Sequence, residues 1–352
     1  ASLSASAIAP LDARPRYGGT LRVHPAGLIE SLGTPVAQVC EIHRDAARRA
    51  WTLTARPGLV RHDKSPVTLE TVMQALKNRA ADLAAAPNSR SIVVTAVRPS
   101  SDVAAILEND VRIDCGPFIV HPTDRSNPSS TAWAEAFEDH PDGRPYVDRV
   151  ELASAPQAAH VAELMPGSVR QFKSPAHRIW ISQPLVLLAI NASSLSPDQR
   201  TALSYSIDRD AIVRFILQGQ GEPTGALSPQ WRTGYAFLFK QPRDLVRARQ
   251  LGRSASLALS FHGSDPSARL ITERIALNAR DAGIEIRPVN TRSANAALLL
   301  HMPAPASESF EAEKAAMEER GLIPLAHLPR IFAIHNRVQG WDEAHDRHRH
   351  GL

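Results

Sequence analysis

The chain is predicted to be an α/β protein with mixed sheets, divided into two lobes, and three observations predict this. Residues 51–77, "WTLTARPGLVRHDKSPVTLETVMQALK", run from strand through a polar turn into a helix. Residues 256–302 alternate strand, helix, strand, strand. A hydrophobic content of 43% over 352 residues is enough for more than one core.

The elements follow from local pattern. Trp51, Leu53 and Ala55 alternate with Thr52, Thr54 and Arg56, as in a half-buried strand. Pro57-Gly58 suits a type II turn, and Leu59 to His62 reads as a returning strand broken by "DKSP". Thr68 can cap the next helix, with Val67 and Val72 as a hydrophobic staple. Leu69, Val72, Met73 and Leu76 then share one helical face. Further on, Ser196 precedes Pro197 at a helix start, and Asp208 can cap a second helix whose apolar face holds Ile212, Phe215 and Ile216, ended by Gly219. "SLALSF" (256–261) is a strand, residues 267–282 a helix stopped by Gly283, and "IEIRPV" (284–289) a strand. "AALLLHM" (296–302), apolar on both faces, reads as a buried parallel strand.

Composition excludes several function classes. Formal net charge is +4, and only Lys64, Lys77, Lys173, Lys240 and Lys314 among the 40 basic residues are lysines. The arginines are scattered, with no basic run interleaved with aromatics, so no nucleic-acid partner is expected. No apolar run reaches the length of a membrane span. Residues 1–16 read as a flexible leader, and the initial Ala fits either a removed signal peptide or a truncated boundary. Cys40 and Cys115 fit one disulfide or two buried thiols, and their spacing does not choose. No G-x-S-x-G nucleophile motif, H-E-x-x-H pair or Gly-rich phosphate loop occurs, so no enzyme is expected.

Ordered motifs carry a resemblance. "WTLTARPGLVRHDKSPVTLETV" resembles the signature W-T-F-x-L-R-x-G-V-x-F-H-D-G-x-P-V-T-A-x-D-V of the family 5 extracellular solute-binding proteins, the peptide-, nickel- and sugar-binding components of ABC importers. It departs at Lys64, where the family usually has Gly, and at Thr71, where it usually has Asp. "YGGTLRV" (17–23), "DCGPFIV" (114–120), "DGRPYVDRVEL" (142–152), "LLAINAS" (187–193), "ALSYSIDRDAIVRFILQGQGEPTGALSP" (202–229) and "GLIPLAHLPRIFAIHNRVQGW" (321–341) match family segments in the same order. The chain resembles a shortened member. Only residues 26–50 separate the first strand from Trp51, and only 303–320 stand where relatives carry a long helical region. The family's G-W-x-A-D-Y text, whose Asp serves the pocket of peptide binders, is replaced by "LLLHMPAP".

The resemblance implies a two-lobed fold like the type II periplasmic binding proteins, with a hinge. "LLAINAS" and "GLIPLAHL" are then the crossings, so residues 17–188 with 325–352 form lobe I and 189–324 lobe II. It also implies strand order 2-1-3 in the second part, with 256–261 as strand 1 and 296–302 as strand 3. Ligands in such sheets bind beyond the carboxyl strand ends at the switch point. His262 and His301 stand there, as ligand contacts or as solvated strand ends. By resemblance the loop "SPQWRTGY" (228–235) approaches the cleft. Trp231 and Tyr235 offer aromatic faces and Arg232 a carboxylate partner, against the alternative that Trp231 only packs beneath the loop. Arg178, ahead of the crossing strand, is a candidate on the opposite wall or a surface group. The two strand-end histidines lack a carboxylate or third ligand, so no metal and no cofactor are expected. The implied function is delivery of a small solute of unknown identity to ABC permease subunits by a periplasmic, extracytoplasmic monomer. A binding-protein-like module with an interaction or sensing role and no transported solute is the alternative.

Overall fold

The computed structural model describes residues 18–24, 27–30, 32, 34–45, 50–79, 83–97, 103, 106–107, 111–121, 131–141, 143–239, 242–251, 256–261, 266–290, 296–305 and 309–338. The expected leader, His262 and the histidine-bearing tail lie outside them. The chain forms two compact units, Ala1–Ala81 with Ala85–Val94 and Leu107–Val161, and Asp82–Ala84 with Thr95–Ile106 and Ala162–Leu352.

In the first unit, strand Thr20–His24 runs parallel to Arg149–Leu152, which pairs antiparallel with Trp133–Ala136 and through it with Phe118–His121. Strand Ala50–Ala55 takes Cys40–Asp45 as its antiparallel partner. The expected returning strand at Leu59–His62 is therefore not its neighbour; this segment contributes only an isolated bridge between Val60 and Pro66. The other edge of strand Ala50–Ala55 is taken by Ile92–Ala96, and the turn is held by bonds of its own. Arg61 is held by Asp63 at 2.8 Å and Asp114 at 2.9 Å, while Lys64 takes φ 68° to close the reversal. That left-handed backbone accounts for a glycine preference at this position in the resembling signature. The helix Leu69–Arg79 starts as expected, the Thr68 hydroxyl accepting from the Thr71 amide at 3.3 Å, and Val67 and Val72 are both buried. Cys40 and Cys115 are free, buried thiols.

The second unit holds the βαβ segment. Strand Ser256–Ser260 lies between Glu285–Val289 and Ala297–Pro303, parallel to both, which is the expected 2-1-3 order. Helix Pro266–Asp281 makes the crossover, and Ile271, Ile275 and Ala279 bury its inner face against Leu257 and Leu259. Strand Ala297–Pro303 pairs on its other side with the long strand His177–Asn191, which pairs antiparallel with Leu322–His335. Nearly every residue of Leu322–His335 is buried, as its apolar run requires. Helix Pro197–Ser206 begins with a full capping box from Ser196 and Gln199.

One helix departs from expectation. Asp208 caps it, its carboxylate accepting from the Ala211 amide at 2.9 Å, but Ile212–Ile216 then winds as a π-helix, with the Leu217 amide donating to the Ile212 carbonyl at 3.1 Å. The wider turn rotates the face, so Ile212 is buried while Phe215 is 71% exposed. No helix among the described residues is long and apolar enough to cross a membrane.

Candidate functional site

The Pro-containing loop is built around a buried carboxylate. Glu313, on helix Phe310–Arg320, is fully buried. Its Oε1 accepts from the Leu227 amide at 2.6 Å and the Ser228 amide at 3.1 Å. Its Oε2 accepts from the Tyr235 hydroxyl at 3.1 Å. The Tyr235 ring also packs with Phe239 and Phe310, so both ends of this expected ligand contact serve the loop's own fold. The Ser228 hydroxyl donates to the Pro305 carbonyl at 2.6 Å, and Arg232 Nη1 donates to the Ala304 carbonyl at 3.3 Å. These bonds fasten the loop beside the end of strand Ala297–Pro303. Within the loop, helix Gln230–Thr233 stops at Gly234, whose φ of 74° suits glycine. The Gln230 amide clasps the turn, donating to the Gly234 carbonyl at 2.6 Å and accepting from the Phe237 amide at 2.7 Å. Trp231, on the outer side of this turn, is 50% exposed and is the loop's available aromatic face.

A cavity of about 660 Å³ opens beside the loop, lined among others by Arg209, Glu222, Thr224, Gln230, Phe237 and His327. His327 is buried, and its Nε2 lies 2.9 Å from the Leu227 carbonyl, so Nε2 carries a proton and donates there. Burial holds this imidazole below its ordinary range, outweighing the carbonyl bond that raises it. Arg209 is also buried. Its Nε donates to the Pro324 carbonyl at 2.8 Å, its Nη1 to the Ser204 carbonyl at 3.0 Å and its Nη2 to the Ser204 hydroxyl at 2.8 Å. Desolvation brings its pKa down to about 10, offset partly by Asp210. Carboxylates of Asp208, Asp210 and Glu222 share the wall with these two cationic or polar groups. Among the described residues no group of three or more His, Cys, Asp or Glu stands ready to hold a metal.

Of the residues singled out from sequence, Trp231, Arg232 and Tyr235 are brought together on the loop. His301 is exposed on strand Ala297–Pro303, opposite Leu188, two residues before the strand's end. Arg178 is exposed on the long strand and donates to the Val338 carbonyl at 3.3 Å. Sequence reasoning missed Glu313, His327 and Arg209. His327 carried one signal, an ionisable residue inside the apolar run "LIPLAHL". Glu313 carried none, since a glutamate near a helix start ordinarily faces water.

These features define a fold class, an α/β binding-protein fold with parallel strands in 2-1-3 order and a pair of long antiparallel strands. Solved structures share it. The PBP AgaA from A. tumefaciens R10, in complex with agropinic acid, superimposes with a TM-score of 0.67 at 13% identity, over 92% of this chain and 94% of that one. The ABC transporter-associated periplasmic binding protein DppA from Helicobacter pylori, in complex with the peptide STSA, gives 0.65 at 12% identity, over 93% and 96%. The oligopeptide-binding protein AppA from Bacillus subtilis, with a nonapeptide, gives 0.63 at 13% identity, over 93% and 96%. No protein-family model matches the sequence, and no curated protein is significantly similar to it. The chain thus has the fold of these periplasmic binding proteins.

Proposed function

We infer that the chain is an extracytoplasmic solute-binding protein that hands a small solute to an ABC importer. The observation that supports this best is the shared fold over more than nine-tenths of the chain with binding proteins of that kind. The mechanism is closure of two lobes, 17–188 with 325–352 and 189–324, around the solute. The long strands His177–Asn191 and Leu322–His335 are the passages of the chain between the lobes in this reading. The protein is periplasmic and monomeric, its partners being the solute and the permease subunits. The solute's walls are Trp231, Arg232 and Tyr235 from the loop, His262 and His301 from the strand ends, and Arg178.

A second reading has a specific observation in its favour. The Tyr235 hydroxyl is taken by Glu313 and an Arg232 nitrogen by the Ala304 carbonyl, so part of the expected polar lining is satisfied internally. In that reading the chain is an interaction or sensing module without a transported solute. Native mass spectrometry of protein taken from its own cells separates the two. A stoichiometric small molecule, lost on mild denaturation and bound more weakly by Trp231→Ala, supports transport. Protein that carries none and acquires none from a metabolite extract refutes it.

A further inference from the structure

A second cavity, of about 690 Å³, lies wholly in the second unit and shares no lining residue with the one beside the loop. Its volume is that of a small-molecule site. Three segments enclose it: the turn after strand Val161–Leu164, the end of the π-helix, and helix Pro266–Asp281. They are fastened to one another. The Gly167 amide donates to Gln220 Oε1 at 3.0 Å, the Gln218 side-chain nitrogen to the Gly167 carbonyl, and the Ser267 hydroxyl to the Pro166 carbonyl at 3.2 Å. A Cβ at Gly167 would stand 2.7 Å from the Ile216 carbonyl oxygen, so the turn needs glycine to lie against the π-helix.

The cavity's surface is apolar. Met165, Phe215, Leu270 and Leu277 all line it, and all four are exposed. Large apolar side chains gathered in one exposed hollow mark a place that receives another apolar surface.

The same hollow holds an uncompensated cation. Ser267, Leu270, Arg274 and Leu277 line it at steps of three and four residues, which is one stripe of the helix. Ile271, Ile275 and Ala279 on the helix's other side enter the core. Arg274 thus stands on the cavity side, between two apolar residues of its own stripe. Among the described residues it makes no hydrogen bond and no ion pair. Glu273, the acidic residue of the lining, is held 2.8 Å from Arg269 instead. Of the Arg274 guanidinium nitrogens only Nε is closed off from solvent, so the two terminal nitrogens stay open to a ligand. A carboxylate spans such a pair of nitrogens and carries the single negative charge that one arginine matches. An ester lacks the charge, and an ammonium group is repelled.

We propose that this cavity binds an amphipathic monoanion, a carboxylate on a hydrocarbon chain, with its head on the terminal nitrogens of Arg274 and its chain over Leu270, Leu277 and Phe215. Four probes test this on the whole protein: octanoate, methyl octanoate, octylammonium and butyrate. Calorimetry gives the affinities, and amide NMR shifts at Gly167, Gln218 and Arg274 give the place. Octanoate should bind about tenfold more tightly than its ester, the worth of one charge-assisted contact at a half-buried position. It should exceed butyrate by about tenfold or more, because the shorter chain covers less of the apolar wall. Arg274→Met should bring octanoate down to the affinity of the ester and leave the ester unchanged. The melting temperature should not move, since Arg274 has no bond to lose. Arg274→Glu should reverse the order in favour of octylammonium. Trp231→Ala, on the loop beside the other cavity, should alter none of these affinities. The proposal is overturned if the ester or octylammonium matches octanoate on the parent protein, or if octanoate keeps its affinity in Arg274→Met. It is equally overturned if no probe binds, if Trp231→Ala weakens octanoate, or if the shifts fall on residues 228–239 and not on the three named.

Discussion

Replacing Glu313 by alanine should remove the anchor of the Pro-containing loop. The carboxylate accepts from the Leu227 and Ser228 amides and from the Tyr235 hydroxyl. Leu227 and Ser228 are buried, so both amides stay without water once the carboxylate is gone. Each orphaned buried donor costs ~1–3 kcal/mol, while the half-buried Tyr235 hydroxyl can turn toward solvent. Glu313→Ala should therefore cost roughly 3–5 kcal/mol, counting two amides and the small void left behind. Glu313→Gln keeps an acceptor for both amides and turns its nitrogen toward the tyrosine oxygen, which accepts in turn. It gives up the charge assistance alone, about 1 kcal/mol. Tyr235→Phe loses one bond at a half-exposed place and should also cost about 1 kcal/mol. Urea unfolding followed by far-ultraviolet circular dichroism measures all three. An alanine variant within 1 kcal/mol of the parent, or a glutamine variant as unstable as the alanine one, would refute the assignment of Glu313 as the loop's anchor.

Other consequences follow from the buried polar groups and the exposed face. His327 titrates below its ordinary 6.5 when folded, so the unfolded chain takes up more protons as pH falls through 6.5 and stability declines with it. The parent should therefore lose more stability than His327→Gln between pH 7.5 and 5.5, and equal losses would count against this role. Arg209→Ala takes away the guanidinium donors of the Pro324 and Ser204 carbonyls and should lower stability by ~3 kcal/mol or more, read from the urea midpoint. Burial raises both Cys40 and Cys115 to about 11, so Ellman's reagent at pH 8 should react slowly with native protein and find two thiols after denaturation without reductant; zero thiols there would mean a disulfide. Trp231→Ala and His301→Ala should each weaken binding of the identified solute about thirtyfold, the effect of losing ~2 kcal/mol at a packed contact, with the melting temperature unchanged. Unaltered affinity in both would move the pocket elsewhere.

The sequence by itself determined the local elements. Period-two alternation marked Ala50–Ala55, the Ser196-Pro197 start marked a capped helix, and residues 256–302 showed strand, helix, strand and strand, while their 2-1-3 order came from the family resemblance. These depend on neighbours within a few residues, where side-chain spacing and backbone preference act directly. The loop "SPQWRTGY" was legible as a feature, but not what holds it. Only the tertiary structure decided that Cys40–Asp45, rather than Leu59–His62, pairs with the strand at Trp51, because Cys40–Asp45 and the distant Ile92–Ala96 take its two edges. Only it turned Phe215 outward, since one wide π-turn shifts the register of a helical face. And only it joined Glu313 to Leu227, His327 to the same residue and Arg209 to Pro324, across 86, 100 and 115 positions of chain. A buried polar group is recognisable by the partner that satisfies it, and when that partner lies so far along the chain no local pattern records the pairing.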